Sequence, residues 1–133
     1  MNVNNNIMKY ELKTSEYFGG RVPNRIYINS ELELDKFYNI FSDKVNLKKD
    51  YLKNNSAFVQ IETVGSGSIR KKLTSVTFDD DNVNFQIDTK KPQIGTCDMA
   101  TWYLVALIPK QEVEKLKLSG WKKPSEIQLP KRN

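Results

Sequence analysis

The chain has 133 residues, 38% of them hydrophobic and 28% charged, with 21 Lys plus Arg against 16 Asp plus Glu, a single cysteine and no histidine. Without histidine the Ser-His-Asp and Cys-His arrangements are excluded, as are mixed Cys/His zinc sites and any side chain that titrates near neutrality unperturbed. A lone cysteine, Cys97, leaves no internal disulfide, so the fold stands on packing; a chain of this length is one domain that buries roughly 70% of its unfolded surface.

The net charge of +5 invites a nucleic-acid reading, because phosphate neutralisation by Lys and Arg drives non-specific binding. Its distribution weakens that reading. Residues 1–109 carry 14 basic and 13 acidic side chains, whereas residues 110–133 carry seven and three. The excess is concentrated at the C-terminal end, where Lys115, Lys117, Lys122, Lys123, Lys131 and Arg132 surround Trp121. An aromatic among cations can stack on a base. The alternative is a solvated segment, with residues 119–133 as its basic part and Trp121 tucked against the sheet, and no nucleic-acid motif favours the first over the second.

In chain order, Met1 to Asn6 is Asn-rich and expected to fray, with neither the basic start nor the apolar stretch of a signal peptide. The protein is therefore expected to be cytosolic or to have lost a leader. Tyr10, Leu12, Tyr17 and Phe18 suggest an N-terminal strand, and Gly19 to Asn24 is the first break. Arg25 to Asn29 is a short strand. Ser30-Glu31-Leu32-Glu33 then fits a capping box, and Leu34, Phe37, Tyr38, Phe41 and Val45 recur at helical spacing, predicting a helix from Ser30 to about Lys44. Tyr51 and Leu52 suit a short helical turn, with Asn54 to Ser56 as the loop after it.

From Ala57 the period becomes two. Val59 and Ile61 share one face of a strand and Phe58 takes the other, until Gly65-Ser66-Gly67-Ser68 interrupts. Ile69 to Phe78 and Val83 to Asp88 flank Asp79-Asp80-Asp81-Asn82, which predicts an antiparallel hairpin. Thr101 to Ile108 is apolar on both faces, as in a central strand, and is far shorter than the roughly 20 residues of a membrane helix. Glu112 to Leu118 suits a short helix and Glu126 to Pro130 an edge strand.

Few motifs carry chemistry. Asp79, Asp80 and Asp81 lack the spacing, glycine and terminal glutamate of a calcium loop and read as a turn. Gly65 to Ser68 resembles a phosphate cradle, yet a strand follows it where a phosphate loop needs a helix N-terminus. Cys97 has a carboxylate neighbour, Asp98, and no nearby cation, the opposite of what activates a thiol. No metal, cofactor or acid/base pair is indicated.

Three segments taken together, Tyr51 to Ile61, Gly65 to Arg70 and Thr96 to Pro109, resemble small envelope proteins and lipoproteins of low-GC anaerobic bacteria. More distantly, they are similar to the PrcB-like domain found at the C-terminus of a protease-complex component. The resemblance covers roughly residues 25–110. Where that family's turn is Thr-Gly-Gly-Tyr-like, this chain reads Gly65-Ser-Gly-Ser-Ile69. What the resemblance implies is a secreted or envelope-anchored, non-enzymatic domain that assists or restrains a protease.

The expectation is thus a single α+β domain, one amphipathic helix packed on a mainly antiparallel sheet or small β-sandwich of about six strands. It is expected to bind a protein partner, with a protease as one candidate. The expected contacts are Gly65, Ser66, Gly67, Ser68 and Arg70 in one loop and Asp98 in the loop from Lys91 to Thr101. The alternative is a cytoplasmic nucleic-acid binder using Trp121 and the basic C-terminal segment.

Overall fold

A computed structural model describes residues 2–3, 7–15, 23–41, 45–96 and 98–127. Its strands are β1 (Asn2–Val3), β2 (Met8–Thr14), β3 (Arg25–Ile28), β4 (Asn55–Val64), β5 (Arg70–Asp79), β6 (Asn82–Lys90) and β7 (Ala100–Pro109). They form a four-stranded sheet in the order β2-β7-β4-β3 and a three-stranded sheet in the order β1-β5-β6. Every strand pairing within the sheets is antiparallel. With the helix α1 (Glu31–Ile40), the class is α+β.

The doubly apolar run explains the centre of this arrangement. β7 lies between β2 and β4, and its side chains alternate between two buried clusters. Tyr103, Val105 and Leu107 join Ala57, Val59 and Ile61 of β4 and Leu34, Phe37 and Phe41 of the helical segment. Leu104, Ala106 and Ile108 join Phe58, together with Leu73, Val76 and Val83 of the β5–β6 hairpin and Trp121. Each of the Val, Leu, Ile and Phe side chains among these contributes about 1.5–3 kcal/mol by leaving water, so this one strand anchors both halves of the core.

α1 begins as its sequence predicts, with Ser30 Oγ accepting from the Glu33 amide at 3.2 Å. The reciprocal half of the capping box is replaced. Glu33 Oε2 instead accepts from the amide of Ser125 at 3.0 Å and so ties the C-terminal segment to the start of the helix. The helix also ends earlier than expected, at Ile40, with Phe41 in extended conformation. Its apolar stripe survives because Val45 still reaches the first cluster. Tyr38 donates from its hydroxyl to the Leu47 carbonyl at 2.7 Å and accepts from the Leu47 amide at 2.9 Å, which fixes the returning chain. Beneath the same face Tyr10 donates to the Val45 carbonyl at 3.0 Å; burial, then Tyr38 and Tyr51, push its ionisation well above the ordinary tyrosine value, so it remains a donor.

Other expectations are corrected. Asn55 and Ser56, read as loop, already belong to β4, where Ser56 Oγ is buried and donates to Asn29 Oδ1 at 2.7 Å. Glu112 to Leu118 is not a helix: a single turn, Lys110–Val113, precedes a segment in which Leu118 has φ 55°. The amides of Lys117 and Leu118 are spent on the Asp81 carbonyl, at 2.7 and 3.4 Å, so this stretch caps the hairpin. Glu126 closes a 3-10 turn, Pro124–Glu126, where an edge strand was expected. The cover on the β3 edge comes from Lys122, which exchanges backbone hydrogen bonds with Tyr27 and Arg25. Asn2 and Val3, expected to fray, pair with Phe78 and Thr77. Tyr17 and Phe18, most of the Gly19–Asn24 break, Lys44, Cys97, and Gln128 to Pro130 with Lys131 and Arg132 lie outside the described residues. No helix among the described residues is long and apolar enough to cross a membrane.

Candidate functional site

The Gly65–Arg70 loop joins β4 to β5, and the Lys91–Met99 segment joins β6 to β7. Register brings them together. Val64 pairs with Ala100 and Arg70 with Lys90, so both connections leave the sheets at the same end of the molecule.

Side-chain hydroxyls then stitch one loop to the other. Ser66 Oγ lies 2.7 Å from Ser68 Oγ and 3.1 Å from Thr96 Oγ1, and it accepts from the Thr96 amide at 2.9 Å. The Thr96 amide is shared with Ser68 Oγ at 3.1 Å. Asp98 Oδ1 accepts from the Gly67 amide at 3.2 Å, and the Thr96 hydroxyl also serves this carboxylate. A hydroxyl has one proton to donate. The arrangement that uses each once runs from Ser68 to Ser66, from Ser66 to Thr96 and from Thr96 to Asp98.

Gly67 is where this seam is tightest. A Cβ there would stand 2.3 Å from Asp98 Oδ2, so any larger residue evicts the carboxylate. Lys13 of β2 donates from its ammonium to the Gly67 carbonyl, adding a third element to the joint. The Thr96 hydroxyl, followed by the Gly67 amide and the Asp98 amide itself, holds the Asp98 carboxyl below its ordinary value, and Lys13 adds to this. A carboxylate so stabilised is a poor proton acceptor at neutral pH, and the two serine hydroxyls are engaged, among the described residues, by other hydroxyls and backbone amides. The seam is suited to holding a shape.

The shape has two notable parts. One is a hollow of about 270 Å³ lined by Lys13, Gly67, Ser68, Arg70 and Trp102, with Trp102 Nε1 donating to the Ile69 carbonyl at 3.3 Å. The other is an apolar tip. Ile94 is 90% exposed beside Gly95, and Met99 on the same segment is 43% exposed.

Gly65, Ser66, Gly67, Ser68, Arg70 and Asp98, anticipated from the sequence, therefore gather at one end. Trp121 does not join them. It is 5% exposed in the second cluster, edge-on to Phe58 at 5.0 Å and to Phe85 at 5.4 Å, and its Nε1 donates to the Val83 carbonyl at 3.1 Å. Val83 sits at the opposite end of the hairpin from Arg70. A ring enclosed in this way presents no face for a base. Gly95 and Thr96 belong to the Lys91–Thr101 loop that was expected to take part, although neither was singled out; Lys13 and Trp102 were not anticipated, because each reaches the seam only through strand pairing. The alternation Glu11-Leu12-Lys13 hints that Lys13 faces away from the first cluster, but not that Gly67 lies there. No family model, curated protein or solved structure matches the chain.

Proposed function

We propose that this chain is a non-catalytic protein-interaction domain, and that its contact surface is the end of the molecule formed by Gly65–Arg70 and Lys91–Met99. The observation that carries the reading is the seam of Ser66, Ser68, Thr96, Gly67 and Asp98, which fixes two loops against each other beneath an exposed Ile94. Loops fixed on a sheet are preorganised, and preorganisation lowers the entropic cost of association. A lone exposed aliphatic residue is ordinary; one carried, like Met99, on a loop fixed by the seam is a suitable anchor for a partner.

The chain's lack of histidine agrees with binding over hydrolysis. We further read the two sheets as the layers of a small sandwich, a reading supported by the cluster they share. The resemblance to envelope proteins and to the PrcB-like domain suggests a location outside the cytoplasm and makes a protease the first partner to try.

The test is site-specific photo-crosslinking in source cells, with the photoreactive residue at Ile94 and, as a control of comparable exposure, at Leu32 on α1. A discrete adduct from position 94 and none from 32 is the expected outcome. Equal labelling from both positions, or no adduct from position 94, would sink the reading.

A further inference from the structure

Strand register builds the hollow of about 270 Å³ at the open end. Lys13 of β2 stands opposite Trp102 of β7, so their side chains lie next to each other on one face of the sheet. Trp102 Nε1 donates to the Ile69 carbonyl at 3.3 Å, which brings the indole against the start of β5, where Arg70 follows. Gly67 and Ser68 complete the wall.

The chemistry on offer in this hollow is cationic and apolar. The amides of Gly67, Ser68 and Ile69 are engaged by Asp98 Oδ1, Ser66 Oγ and the Ser66 carbonyl, so an anion must be held by side chains. The indole N–H is engaged as well, and Trp102 presents ring surface. Arg70 is exposed and forms no ion pair with a described carboxylate. Lys13 needs one of its three protons for the Gly67 carbonyl.

The surroundings set the charge of an occupant. Among the described residues no carboxylate lines the hollow. Asp98 adjoins Gly67 and its charge reaches Lys13, so it offsets one of the two cations. One positive charge is left, which a single carboxylate balances. A second hollow shares Arg70 and Trp102; there Lys71, Lys72 and Lys90 accompany Glu11 and Asp88, so the sign is not reversed.

Size narrows the choice further. Ligand pockets run from about 300 to 1,000 Å³, and this hollow falls just below that range, which suits one residue-sized group. Ser68 Oγ accepts from the Thr96 amide, two residues beyond Ile94, so a chain leaving the hollow over Ser68 meets the segment that carries the exposed tip.

We propose that the hollow receives the C-terminal residue of a partner protein, with its α-carboxylate against Arg70 and Lys13 and its apolar side chain on the Trp102 ring. The planar arginine fork matches the two oxygens of a carboxylate, and an indole face suits an aliphatic or aromatic side chain. An apolar group bearing one carboxylate is also the chemistry of a small free acid. The proposal rests on the interaction reading above, which selects the protein terminus as the source.

Fluorescence anisotropy of the full chain with a labelled serine–valine hexapeptide ending in phenylalanine tests it. Amidating the terminal carboxylate is expected to weaken binding about tenfold, and R70Q is expected to do the same to the acid peptide while leaving the amide unchanged. Replacing the terminal phenylalanine by glycine is expected to weaken binding severalfold. Equal binding of acid and amide, or an R70Q variant that weakens both alike, overturns the proposal. N-acetylphenylalanine is expected to displace the peptide only at about tenfold higher concentration or more; equal potency would assign the hollow to a free acid and overturn the partner terminus. Circular dichroism of R70Q confirms folding, and the Ile94 crosslink separates the two ideas. An adduct from position 94 with no preference for the acid peptide sinks the hollow alone, whereas no adduct from position 94 sinks the interaction reading as well.

Discussion

The two ends of the β5–β6 hairpin place a tryptophan beside cations in opposite ways. At the turn end, Trp121 is enclosed by Phe58 and Phe85, with the Arg25 guanidinium 4.3 Å from its ring and both residues donating to the Val83 carbonyl. At the open end, Trp102 is half-buried beside Arg70, Lys13 and an open hollow. Both indole N–H groups donate inwards, but the Trp121 ring is covered inside the protein whereas part of the Trp102 ring lines the hollow. Burial lowers the Arg25 guanidinium below its usual value, a sign of the same enclosure. Local sequence pointed the other way, since lysines crowd Trp121 more obviously than Trp102.

The largest test of this contrast is Trp121→Ala. Removing a buried aromatic from the second cluster is expected to cost about 3–5 kcal/mol, read as a fall in the urea midpoint. A loss below about 1 kcal/mol would mean that Trp121 is not core, and the two ends would no longer differ as described.

A smaller effect is expected at the hairpin turn. Asp80 and Asp81 form a two-residue loop with φ of 55° and 58°, a left-handed pair that glycine or asparagine adopts more readily. Asp81→Gly should stabilise by up to about 1 kcal/mol, because the Asp81 carbonyl that receives Lys117 and Leu118 is backbone and survives the change. No change, or destabilisation, on thermal unfolding would show that the aspartate side chain supports the turn.

The smallest effect belongs to the open end. Asp98 has a depressed folded value, so its contribution to the seam is present above the unfolded value of about 3.9 and is lost as pH falls through the lower folded value. The Gly67 amide resonance is expected to move in that acidic window in the wild type and to stay flat in Asp98→Asn, with global unfolding little altered. A Gly67 amide that titrates identically in both proteins would separate Asp98 from the seam.

Some of this was legible in the residues. The helix start at Ser30, the hairpin around Asp80, the central apolar strand and the Gly65–Ser68 break all follow from patterns a few residues long. The helix end at Ile40 was not, since Phe41 and Val45 continue the stripe and only Tyr38 gripping Leu47 shows where the chain turns back. Nor was the fate of the segment after Val113, whose amides are claimed by Asp81, more than thirty residues earlier.

By itself the sequence determined the class of fold, the absence of histidine chemistry and which loops hold small hydroxylated residues, because composition and periodicity act over short distances. The tertiary structure alone decided that Ser66 meets Thr96 and that Gly67 must yield its space to Asp98. It also decided that Trp121 is core. Those outcomes depend on strand register and on which surface each connection crosses, and both are set by the burial of side chains far apart in the chain.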